Sequence, residues 1–537
     1  MCGIAGFVGS RDPDLLRRMV GALRHRGPDA EGVWCDAEAG VHLGHARLAI
    51  IDLADGAQPM WTADDDLGVV FNGEIYNHQE LRRELEQAGH TFRTDHSDTE
   101  VLLHGYREWG AELPKRLNGM WAFALYDRRE RRLFLSRDRC GQKPLYYYSQ
   151  AGTFVFASEA SALRQHPAVA AEWSPLALRK YFAYGWAPAP ATLYADIRML
   201  PGGCNLTLDL EAMTPRTTTY WQFEVAPWEP GAGPDPAAAA EELRRLLRQA
   251  VRRRLMADVP VGVFLSGGID STAVTALACE AAPDVQSFSI GFEEPSFDES
   301  AEARRAATLL GVKHHSTTLS MARARELLPA IVDRLDHPFG DSSLLPTYLL
   351  CGEARRQVTV ALGGDGADEL LAGYDPFRAL GPARLYHRCL PGPLRRGVRW
   401  MANRLPVSHR NMSFDFRLKR TLRGLAFPPG AWLPAWIGPL AATETDALFG
   451  GSRLPPEELY AEALSLWERC PAADDISRTV EFYVRLYLQN DILVKVDRAS
   501  MMHSLEVRSP FLDRDLVDFV RRLPPDYRYR RQCTKFL

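Results

Sequence analysis

The sequence predicts an α/β protein whose second half is built on a parallel sheet. Val259 to Leu265 is a run of apolar and small residues typical of a strand buried on both faces, and an alanine-rich helical stretch begins near Thr272. Beyond it, strand-like and helical segments alternate, with strands expected at Val285–Gly291 and Val358–Leu362 and a helix at Ser300–Leu310. This order is the one expected of a parallel sheet covered by helices.

Length and composition place the chain among ordinary multidomain proteins. Its 537 residues predict two or more domains, and 46% apolar with 25% charged residues is typical of a soluble protein. A net charge of −4 gives no electrostatic footprint for nucleic acid, and no apolar run approaches the ~20 residues of a membrane span. We therefore expect small-molecule substrates, with neither nucleic acid nor membrane as a partner.

Cysteine usage and the amino terminus indicate a cytoplasmic location. The nine cysteines include no C-x-x-C pair, which suits a reducing compartment and argues against a disulfide framework or structural zinc. The opening residues have no basic segment before their short apolar run, so no secretory signal is expected.

Cys2 is the first candidate for chemistry. Removal of Met1 would leave a thiol and a free α-amine on one residue, and an amine with a pKa of about 7.7 to 8 can serve as an internal base. By itself a cysteine at the second position is usually incidental, so its context decides the interpretation.

The context is a set of ordered motifs around strand-like and helical runs. The set comprises MCGIAGF, Arg24–Asp29, His45–Asp52, Phe71–Asn77, Ser97–Glu100, Ser136–Asp138, Gly141–Tyr146 and Phe156–Glu159. Together these motifs resemble the glutaminase domain of class II glutamine amidotransferases, which are N-terminal-nucleophile hydrolases. The resemblance covers roughly the first 200 residues and implies a four-layer α+β sandwich of two antiparallel sheets between helices.

The residue chemistry agrees with the roles that the resemblance implies. Arg47 offers a bidentate fork for the α-carboxylate of glutamine, and Glu74 and Asp98 can accept its ammonium group. Asn72 and the backbone N–H of Gly73 suit an oxyanion hole, although this dipeptide alone would indicate a hairpin turn. The implied catalytic residues are Cys2, Asn72 and Gly73, and the implied glutamine-binding residues are Arg47, Ile51, Asn72, Glu74 and Asp98.

A segment rich in proline, glycine and alanine separates the two halves. Residues 223–240 form the predicted linker between a glutaminase domain at 2–222 and a second domain at 241–537. An amphipathic helix is predicted at Glu241–Met256, and its arginines are interpreted as a solvated face. The basic stretch Arg395–Arg423 is interpreted in the same way, with contact to an acidic acceptor as the alternative.

The loop Ser266–Ser271 is the main candidate site of the second half. Its glycines allow backbone N–H groups to point inward at a helix start, which suits an anion such as pyrophosphate. Asp270 beside a phosphate requires a divalent cation between them, and no Gly-Lys-Ser/Thr follows as in a P-loop. The loop resembles the SGG-x-D-S loop of the ATP pyrophosphatases, which adenylate a carboxylate and release pyrophosphate. The alternative is an ordinary strand-to-helix turn.

An acidic glycine turn at Gly363–Glu369 follows the predicted strand Val358–Leu362. The carboxyl ends of parallel strands meet at one edge, so this turn should face the loop at Ser266. Asp365 and Asp270 are therefore the predicted carboxylates for Mg²⁺, and the alternative is a solvent-exposed turn. Asp365 is also the candidate residue where the acceptor carboxylate is adenylated.

Two C-terminal segments, Asp491–Met501 and Glu506–Asp513, complete a resemblance to the glutamine-hydrolysing asparagine synthetase family. It implies an ATP-pyrophosphatase domain, similar to the adenine nucleotide α-hydrolases, with added helices. The implied cofactors are ATP and Mg²⁺, and the implied substrates are glutamine, ATP and aspartate or another carboxylate. The implied ATP-binding residues are Leu265, Ser266, Gly267, Gly268, Asp270, Ser271, Ile290, Gly363 and Gly364.

The sequence also departs from the family pattern. Relatives usually carry serine at Gly363 and an acidic residue at His337, which could alter the acceptor pocket. The family's C-terminal Pro-Lys-x-x-Phe-like segment has no counterpart, so the second domain is expected to be short at its C-terminus, and Lys495 is not assigned the role of the missing lysine.

Three hypotheses follow: amide formation on aspartate, the same reaction on a sugar acid or natural-product carboxylate, and a ligase-impaired glutaminase or nucleotide-binding regulator. β-Lactam synthetases share the second domain but lack a working N-terminal cysteine, so Cys2 counts against them. The oligomeric state stays open, with a homodimer as one option.

Overall fold

The computed structural model describes residues 2–10, 12–229, 231–408, 412–472 and 474–537. Met1, whose removal is expected from the sequence, lies outside these residues. The first half contributes strands β1 (Gly3–Val8), β2 (Ala30–Asp36), β3 (Val41–Arg47), β4 (Met60–Trp61), β5 (Leu67–Ile75), β6 (Gly119–Asp127), β7 (Arg132–Arg137), β8 (Tyr146–Gln150), β9 (Thr153–Ala157), β10 (Ile197–Met199), β11 (Cys204–Asp209) and β12 (Pro215–Thr219).

These strands form two antiparallel sheets that pack face to face. The strand orders are β10-β8-β9-β1-β3-β2 and β12-β11-β7-β6-β5-β4. Apolar side chains of both inner faces, such as Ile4 and Val70, make one shared core. The helices of this half are α1 (Pro13–Ala22), α2 (His78–Gln87), α3 (Glu100–Trp109), α4 (Leu113–Arg116), α5 (Ala160–Leu163) and α6 (Pro175–Tyr184), with a 3-10 turn at Gly110–Glu112.

Helices cover the outer face of each sheet. α1 packs Leu16 and Met19 onto the first sheet, and α2 and α3 pack Leu85 and Leu102 onto the second. Leu81 and Leu85 lie four residues apart in α2 and therefore form one buried stripe, while the charged residues of this helix stay in solvent. The result is a helix-sheet-sheet-helix stack, which confirms the predicted four-layer arrangement.

The second half is organised on a parallel sheet with the order β15-β14-β13-β16-β17. Its central strand β13 is shorter than the apolar run predicted from the sequence. The strands of this half are β13 (Val261–Phe264), β14 (Gln286–Phe292), β15 (Lys313–Leu319), β16 (Val360–Leu362) and β17 (Glu506–Arg508), with a separate hairpin of β18 (Tyr529–Arg530) and β19 (Cys533–Thr534).

Helices flank this sheet and continue into a helical layer beyond it. They are α7 (Pro236–Arg254), α8 (Ile269–Ala281), α9 (Ser300–Leu310), α10 (Met321–Arg334), α11 (Leu344–Arg355), α12 (Ala367–Leu370), α13 (Pro376–Cys389), α14 (Gly392–Ala402), α15 (Phe414–Gly424), α16 (Trp432–Ile437), α17 (Ala442–Leu448), α18 (Pro456–Leu459), α19 (Ala461–Arg469), α20 (Asp475–Phe482), α21 (Leu493–Met501), α22 (Arg514–Val520) and α23 (Pro525–Arg528). Short 3-10 turns lie at Pro429–Ala431 and Pro510–Leu512, and Tyr483–Ile492 is a π-helix between α20 and α21.

The connection between the halves is docked on the second half. Phe223 and Val225 are buried in its main core, and the backbone N–H of Trp228 donates to the carbonyl of Arg522. Helix α7 begins at Pro236, earlier than the predicted Glu241, because Asp235 caps it by accepting from Ala238 N–H. Among the helices in the described ranges, none combines the length and apolar character needed to cross a bilayer.

Candidate active sites

Cys2 immediately precedes β1, the strand that lies between β9 and β3 in the first sheet. Its backbone nitrogen donates to Asn72 Oδ1 at 3.0 Å, and its carbonyl accepts from Arg26 Nε at 3.1 Å. The side chain is 8% exposed, and burial raises the pKa of its thiol. Because the thiolate is the nucleophile, this cysteine requires a base close to its sulfur.

Asn72 and Gly73 lie beside Cys2 on β5, where the predicted oxyanion hole should be. The Asn72 side chain is fully buried, and its Nδ2 donor has no hydrogen-bond partner. A buried unpaired donor is costly and calls for an explanation, and an oxyanion formed at Cys2 would satisfy it. At Gly73 a Cβ atom would lie 2.1 Å from the carbonyl oxygen of Met120, so only glycine fits. The structure thus brings the three predicted catalytic residues together.

Glu74 and Asp98 form a buried acidic group next to this site. Asp98 Oδ2 accepts from the Ile75 N–H at 2.9 Å, whereas Glu74 Oε2 has no hydrogen-bond partner. Burial and then the neighbouring Glu506 carboxylate raise the pKa of Glu74 well above its usual range, and burial also raises the pKa of Asp98. Buried carboxylates whose oxygens are only partly satisfied gain stability from a bound cation such as an ammonium group.

Arg47 and Ile51 are placed by the loop that follows β3. The Arg47 guanidinium donates to the carbonyl oxygens of Asp52 at 2.6 Å and Leu53 at 3.2 Å, so it fixes this loop. Ile51 lies half-buried on the same loop. The remaining guanidinium donors are available for a carboxylate, and the role of Arg47 in binding glutamine stays a prediction.

In the second half, the loop after β13 has the geometry of an anion site. Ser271 Oγ accepts from the Ser266 N–H at 3.1 Å and lies 3.0 Å from Ser266 Oγ, which closes the loop. Gly267 has φ +83°, and a Cβ there would lie 2.7 Å from the Glu302 backbone. A cavity of about 420 Å³ opens over the strand ends, and its lining includes Leu265, Ser266, Gly268, Asp270, Ser271, Ile290, Gly363, Gly364 and Asp365.

Asp270 and Asp368 share one lysine as their partner, and the sequence motifs did not indicate Asp368. Lys535 Nζ is hydrogen-bonded to Asp270 and lies 2.6 Å from Asp368 Oδ1. Burial opposes the charge of Lys535, but the hydrogen bonds to both carboxylates raise its pKa. Asp365, the predicted second metal ligand, instead has Lys495 as its strongest charged neighbour. Within the described ranges, no three His, Cys, Asp or Glu side chains converge as a metal cluster.

Of Asp368 and Lys535, only Asp368 has a signal in the sequence. Asp368 follows Asp365 by three residues, so a short helix after the glycine turn would place both on one face. Lys535 is 265 residues from Asp270, and no local pattern indicates that contact. At Gly363 a Cβ would lie 2.8 Å from Asp365 Oδ2, so the usual serine would require this carboxylate to move.

A group of ionic side chains lies beside Lys495, which lines the cavity. Lys495 Nζ lies 3.2 Å from Asp341 Oδ2, and Asp491 Oδ1 has no hydrogen-bond partner. Burial and then Asp341 raise the pKa of Asp491 well above its usual range, and burial raises the pKa of Glu369 to about 7. Lys495 and the carboxyl groups of Asp341 and Asp491 could meet the two charged groups of an amino acid.

His337 does not lie in this pocket, contrary to the expectation from its place in the sequence. Its Nδ1 lies 3.1 Å from the carbonyl oxygen of Pro338, and its charged neighbours are Arg498 and Asp336. Asp336 accepts from the Ala160 N–H of the first half at 2.8 Å. Asp336, the residue before His337, is therefore part of the contact between the two halves.

Helix α21 joins the two sites. Arg26 donates to both carboxylate oxygens of Asp497, at 2.8 and 3.0 Å, and Arg498 lies 3.1 Å from Glu159 of the first half. Val496, between Lys495 and Asp497 on this helix, lines the nucleotide cavity and also a small cavity of about 10 Å³ beside Lys143. That volume is about what one small molecule such as water requires.

Strand β17 approaches the glutaminase site from the second half. Arg508 Nη2 lies 3.6 Å from Glu74 Oε1, while its Nε donates to Glu506 at 2.6 Å. Arg508 also donates to the carbonyl of Met256 at 2.7 Å. Residues of the synthetase half therefore set the electrostatics of the glutamine pocket, which motif analysis of the first half did not indicate.

Comparisons with known proteins agree with this division. The family described as glutamine amidotransferase domain matches residues 1–221, and the family described as asparagine synthase matches residues 242–537. Asparagine synthetase (glutamine-hydrolyzing) 1 of Bacillus subtilis is 32% identical over 560 residues, covering 100% of this chain and 83% of that protein. A Mycobacterium tuberculosis protein whose name proposes the same activity is 36% identical over 570 residues, covering 100% of this chain and 84% of that protein.

Among solved structures, a glutamine phosphoribosylpyrophosphate amidotransferase from B. subtilis aligns with 59% of this chain and 81% of its own, at 16% identity and a TM-score of 0.33. Full-length identity to the synthetases, and family matches that together span nearly the whole sequence, lead to one assignment. The chain belongs to the glutamine-hydrolysing asparagine synthetase family and is an amidotransferase-type carbon–nitrogen ligase.

Proposed function

We propose that this enzyme hydrolyses glutamine at Cys2 and transfers the ammonia to a carboxylate activated by ATP, with aspartate as the acceptor. The observation that carries the proposal is helix α21, which touches both sites: Asp497 binds Arg26 beside Cys2, and Lys495 lines the nucleotide cavity. Two sites joined by one buried helix suit a product that is made in one and consumed in the other.

The proposed glutaminase step assigns a role to each residue around Cys2. Glutamine binds with its ammonium at Glu74 and Asp98 and its carboxylate at Arg47. The Cys2 sulfur attacks the side-chain amide carbon, and the developing oxyanion takes the free Asn72 Nδ2 donor and the Gly73 N–H. Ammonia leaves as a glutamyl thioester forms, and water then hydrolyses the thioester to glutamate. A free α-amine on Cys2, after loss of Met1, is the proposed base.

Ammonia reaches the second site along the contact between the halves. The small cavity beside Lys143 is separated from the nucleotide cavity by Val496. Lys143 is buried beside this cavity, and burial lowers its pKa. The same loss of solvation disfavours ammonium relative to neutral ammonia. Exclusion of water along this route keeps the ammonia unprotonated and nucleophilic.

The nucleotide cavity suits attack on the α-phosphate of ATP. The Ser266–Ser271 loop and the start of α8 would hold the pyrophosphate part, and the carboxylates of Asp270 and Asp368 would hold a Mg²⁺ ion. Such an ion would neutralise charge on the phosphates. We assign Asp368 as the partner of Asp270 because both carboxylates converge on one lysine.

The proposed reaction uses two lysines, Lys535 at the leaving pyrophosphate and Lys495 at the acceptor. Lys535 lies between Asp270 and Asp368, and from this position its ammonium group can stabilise the negative charge of the leaving pyrophosphate. Lys495 is at the acceptor end, next to Asp365 and Asp341. Lys535 thus supplies a lysine at the reaction centre that the sequence motifs did not provide, which favours an intact ligase step over an impaired one.

Aspartate fits the acceptor end by charge. Lys495 can bind one carboxylate of the acceptor, and Asp341 with Asp491 can bind its ammonium group. The second carboxylate then points to the α-phosphate near Asp365. A sugar acid has no ammonium group, so it would leave the Asp491 carboxylate unpaired.

Aspartate-dependent exchange of radiolabelled pyrophosphate into ATP tests the proposed acceptor. We expect exchange with aspartate and at least tenfold less with sugar acids. An Asp491→Asn variant should lose aspartate-dependent exchange while its glutaminase rate stays unchanged. Exchange with another carboxylate and none with aspartate would replace the acceptor, and absence of exchange with any carboxylate would overturn the ligase.

The division of labour has a separate test. Cys2→Ala should abolish glutamine hydrolysis while amide formation from added ammonium chloride persists. Cys35→Ala is the matched control, because Cys35 is exposed and remote from both sites, and it should retain both activities. Loss of both activities in the Cys2 variant would contradict the two-site scheme.

A further inference from the structure

Arginine is concentrated in one helical segment of the second half. The sequence has eight arginines and no aspartate or glutamate between residues 376 and 414. Helices α13, α14 and α15 form this layer, and a cavity of about 340 Å³ opens between them. Its lining shares no residue with the nucleotide cavity, so the proposed reaction does not account for it.

The cavity is cationic on one side. Arg395, Arg396 and Arg399 line it, and no carboxylate does. In the part of the chain that the structure describes, none of these three guanidinium groups is ion-paired, and Arg395 Nε is buried without a hydrogen-bond partner. By contrast, Arg378 and Arg384 of the same layer are paired with Asp375 and Asp475. The cavity therefore gathers three guanidinium groups that have no carboxylate partner among the described residues.

The other side of the cavity is apolar. Leu422, Leu425 and the ring of Tyr386 contribute to the lining, and Leu422 and Leu425 belong to the main core of this half. The Tyr386 hydroxyl donates to the carbonyl of Arg395 at 3.3 Å, which turns the tyrosine ring along the cavity wall. A ligand with an apolar body can bury it here while its charged end meets the arginines.

The start of α14 adds to the positive potential. Gly392 begins this 11-residue helix and lines the cavity, and the N-cap residue Pro391 has no side chain to cap the first-turn N–H groups. Free N–H groups at a helix start and guanidinium groups of the same helix both favour phosphate oxygens. Arginine forks also match phosphate geometry better than they match a simple halide ion.

We propose that this cavity binds an organic phosphate, with the phosphate on the arginines and an apolar or aromatic body against Leu422 and Leu425. The volume suits a small ligand of this kind. Two sources share this chemistry: a soluble phosphorylated metabolite and the headgroup of an anionic lipid. The exposed side chains of Trp400, Met401 and Phe414 in the same layer are the reason to test the second source.

Phenyl phosphate is the probe, because it joins a phosphate to an aromatic ring. Calorimetric titration of the full chain compares it with inorganic phosphate and with phenol, and hydrogen exchange locates the protected amides. The test variant changes Arg395, Arg396 and Arg399 to glutamine. The control changes Arg388, Arg404 and Arg417 to glutamine, because these arginines are exposed in the same helical layer, do not line the cavity and alter the net charge equally.

We expect phenyl phosphate to bind more tightly than either fragment and to protect amides of residues 386–399. Its affinity should fall at least tenfold in the test variant and less than twofold in the control, with the glutaminase rate unchanged in both. Equal affinity in the test variant, equal loss in the control, or phenol binding as tightly as phenyl phosphate would overturn the proposal.

Vesicle flotation then separates the two sources. Capture of the chain by phosphatidylglycerol vesicles, absent for phosphatidylcholine vesicles and for the test variant, would identify a lipid headgroup as the ligand. Phenyl phosphate binding without capture would identify a soluble metabolite. Failure of both phenyl phosphate binding and capture would leave the cavity without an organic phosphate and refute the inference.

Discussion

At the residue scale, the side-chain amide of Asn72 has both a structural and a proposed chemical role in the glutaminase half. Asn72 Oδ1 accepts from the Cys2 backbone nitrogen, and Asn72 Nδ2 remains a buried donor without a partner. Because the hydrogen bond from the Cys2 nitrogen fixes the orientation of the amide, Asn72 Nδ2 is already positioned before the substrate binds. Pre-organised donors of this kind cost stability in the free enzyme and contribute when charge develops.

Replacement of Asn72 by alanine should therefore slow glutamine hydrolysis with little change in the ammonia-dependent reaction. Loss of one oxyanion donor lowers kcat by about 10² to 10³-fold. Steady-state glutamate release measures the effect, and amide formation from ammonium chloride is the internal control. A raised KM with unchanged kcat would show that Asn72 binds glutamine without stabilising the transition state.

The acidic pair at the glutamine site gives a pH dependence. The pKa of Glu74 is raised well above its usual range, chiefly by burial and by Glu506, so Glu74 gains a proton as pH falls through that raised value. A protonated Glu74 loses its charge interaction with the substrate ammonium. The KM for glutamine should consequently rise on acidification, starting at a pH well above the ordinary glutamate pKa of about 4.3.

A Glu74→Gln variant tests this assignment. Its KM for glutamine should be high at all pH values and should lose the acid-side rise, because the titrating group is gone. Glu80→Gln, on the exposed face of α2, should keep the wild-type profile. An unchanged profile in the Glu74 variant would assign the titration to another group.

At the element scale, the loop between β13 and α8 depends on one glycine. Gly267 has φ +83°, and its Cα faces the Glu302 backbone of α9 so closely that a Cβ would lie at 2.7 Å. Gly267→Ala must therefore move either the loop or α9, and a movement of the loop displaces the N–H groups expected to hold phosphate. We expect the KM for ATP to rise at least tenfold while glutamine hydrolysis continues.

Gly311→Ala is the matched control for this variant. Gly311 also has a positive φ, +66°, but no atom lies within 4 Å of its added Cβ. Both substitutions carry the left-handed backbone cost of about 1 to 2 kcal/mol, which thermal unfolding would record. Only the Gly267 variant should weaken ATP binding. Equal KM values in the two variants would show that backbone strain alone explains the effect.

How much of the fold and of the sites can be predicted from the sequence depends on how far apart the contacting residues lie along the chain. The parallel sheet and the loop at Ser266 follow from periodicity and a local motif, which are short-range features, whereas the sandwich is implied only by the resemblance to class II glutamine amidotransferases. The Asp270–Asp368 pair and Lys535 depend on how distant segments meet, and the turn at Gly363 contained several carboxylates that the sequence could not rank. The contact of Arg508 with Glu74 crosses between the halves, so no motif within one half reports it.

At the scale of the whole molecule, buried ion pairs hold the two sites together. Arg498 of α21 lies 3.1 Å from Glu159 and 2.6 Å from Asp336, and all three side chains are buried. Buried pairs add little net stability compared with apolar packing, but loss of one member leaves a charge without compensation. Their removal should therefore open the contact between the halves more than it unfolds either half.

Arg498→Met tests whether this contact retains ammonia. With glutamine, ATP and acceptor all saturating, the wild type should form close to one amide per glutamate, because ammonia passes internally. In the variant, Asp336 loses its buried cationic partner while Glu159 keeps Arg26, and this loss costs about 3 to 5 kcal/mol at the contact, so water enters and part of the ammonia escapes. The ratio of amide to glutamate should fall clearly below one, while the rate with saturating ammonium chloride stays within about threefold of wild type.

Arg139→Met controls for the general loss of a cross-domain ion pair. Arg139 Nη1 lies 3.0 Å from Asp518 across the same two halves, but the pair is partly exposed and away from the small cavity beside Lys143. Because exposed pairs contribute about 0 to 1 kcal/mol, the ratio should stay near one in this variant. If the ratio of amide to glutamate fell equally in both variants, any loosening of the contact between the halves would be enough to release ammonia. The ion pairs of α21 would then have no special role. If neither did, ammonia would be retained without the Arg498 ion pairs, and the sealing role inferred for them would be wrong.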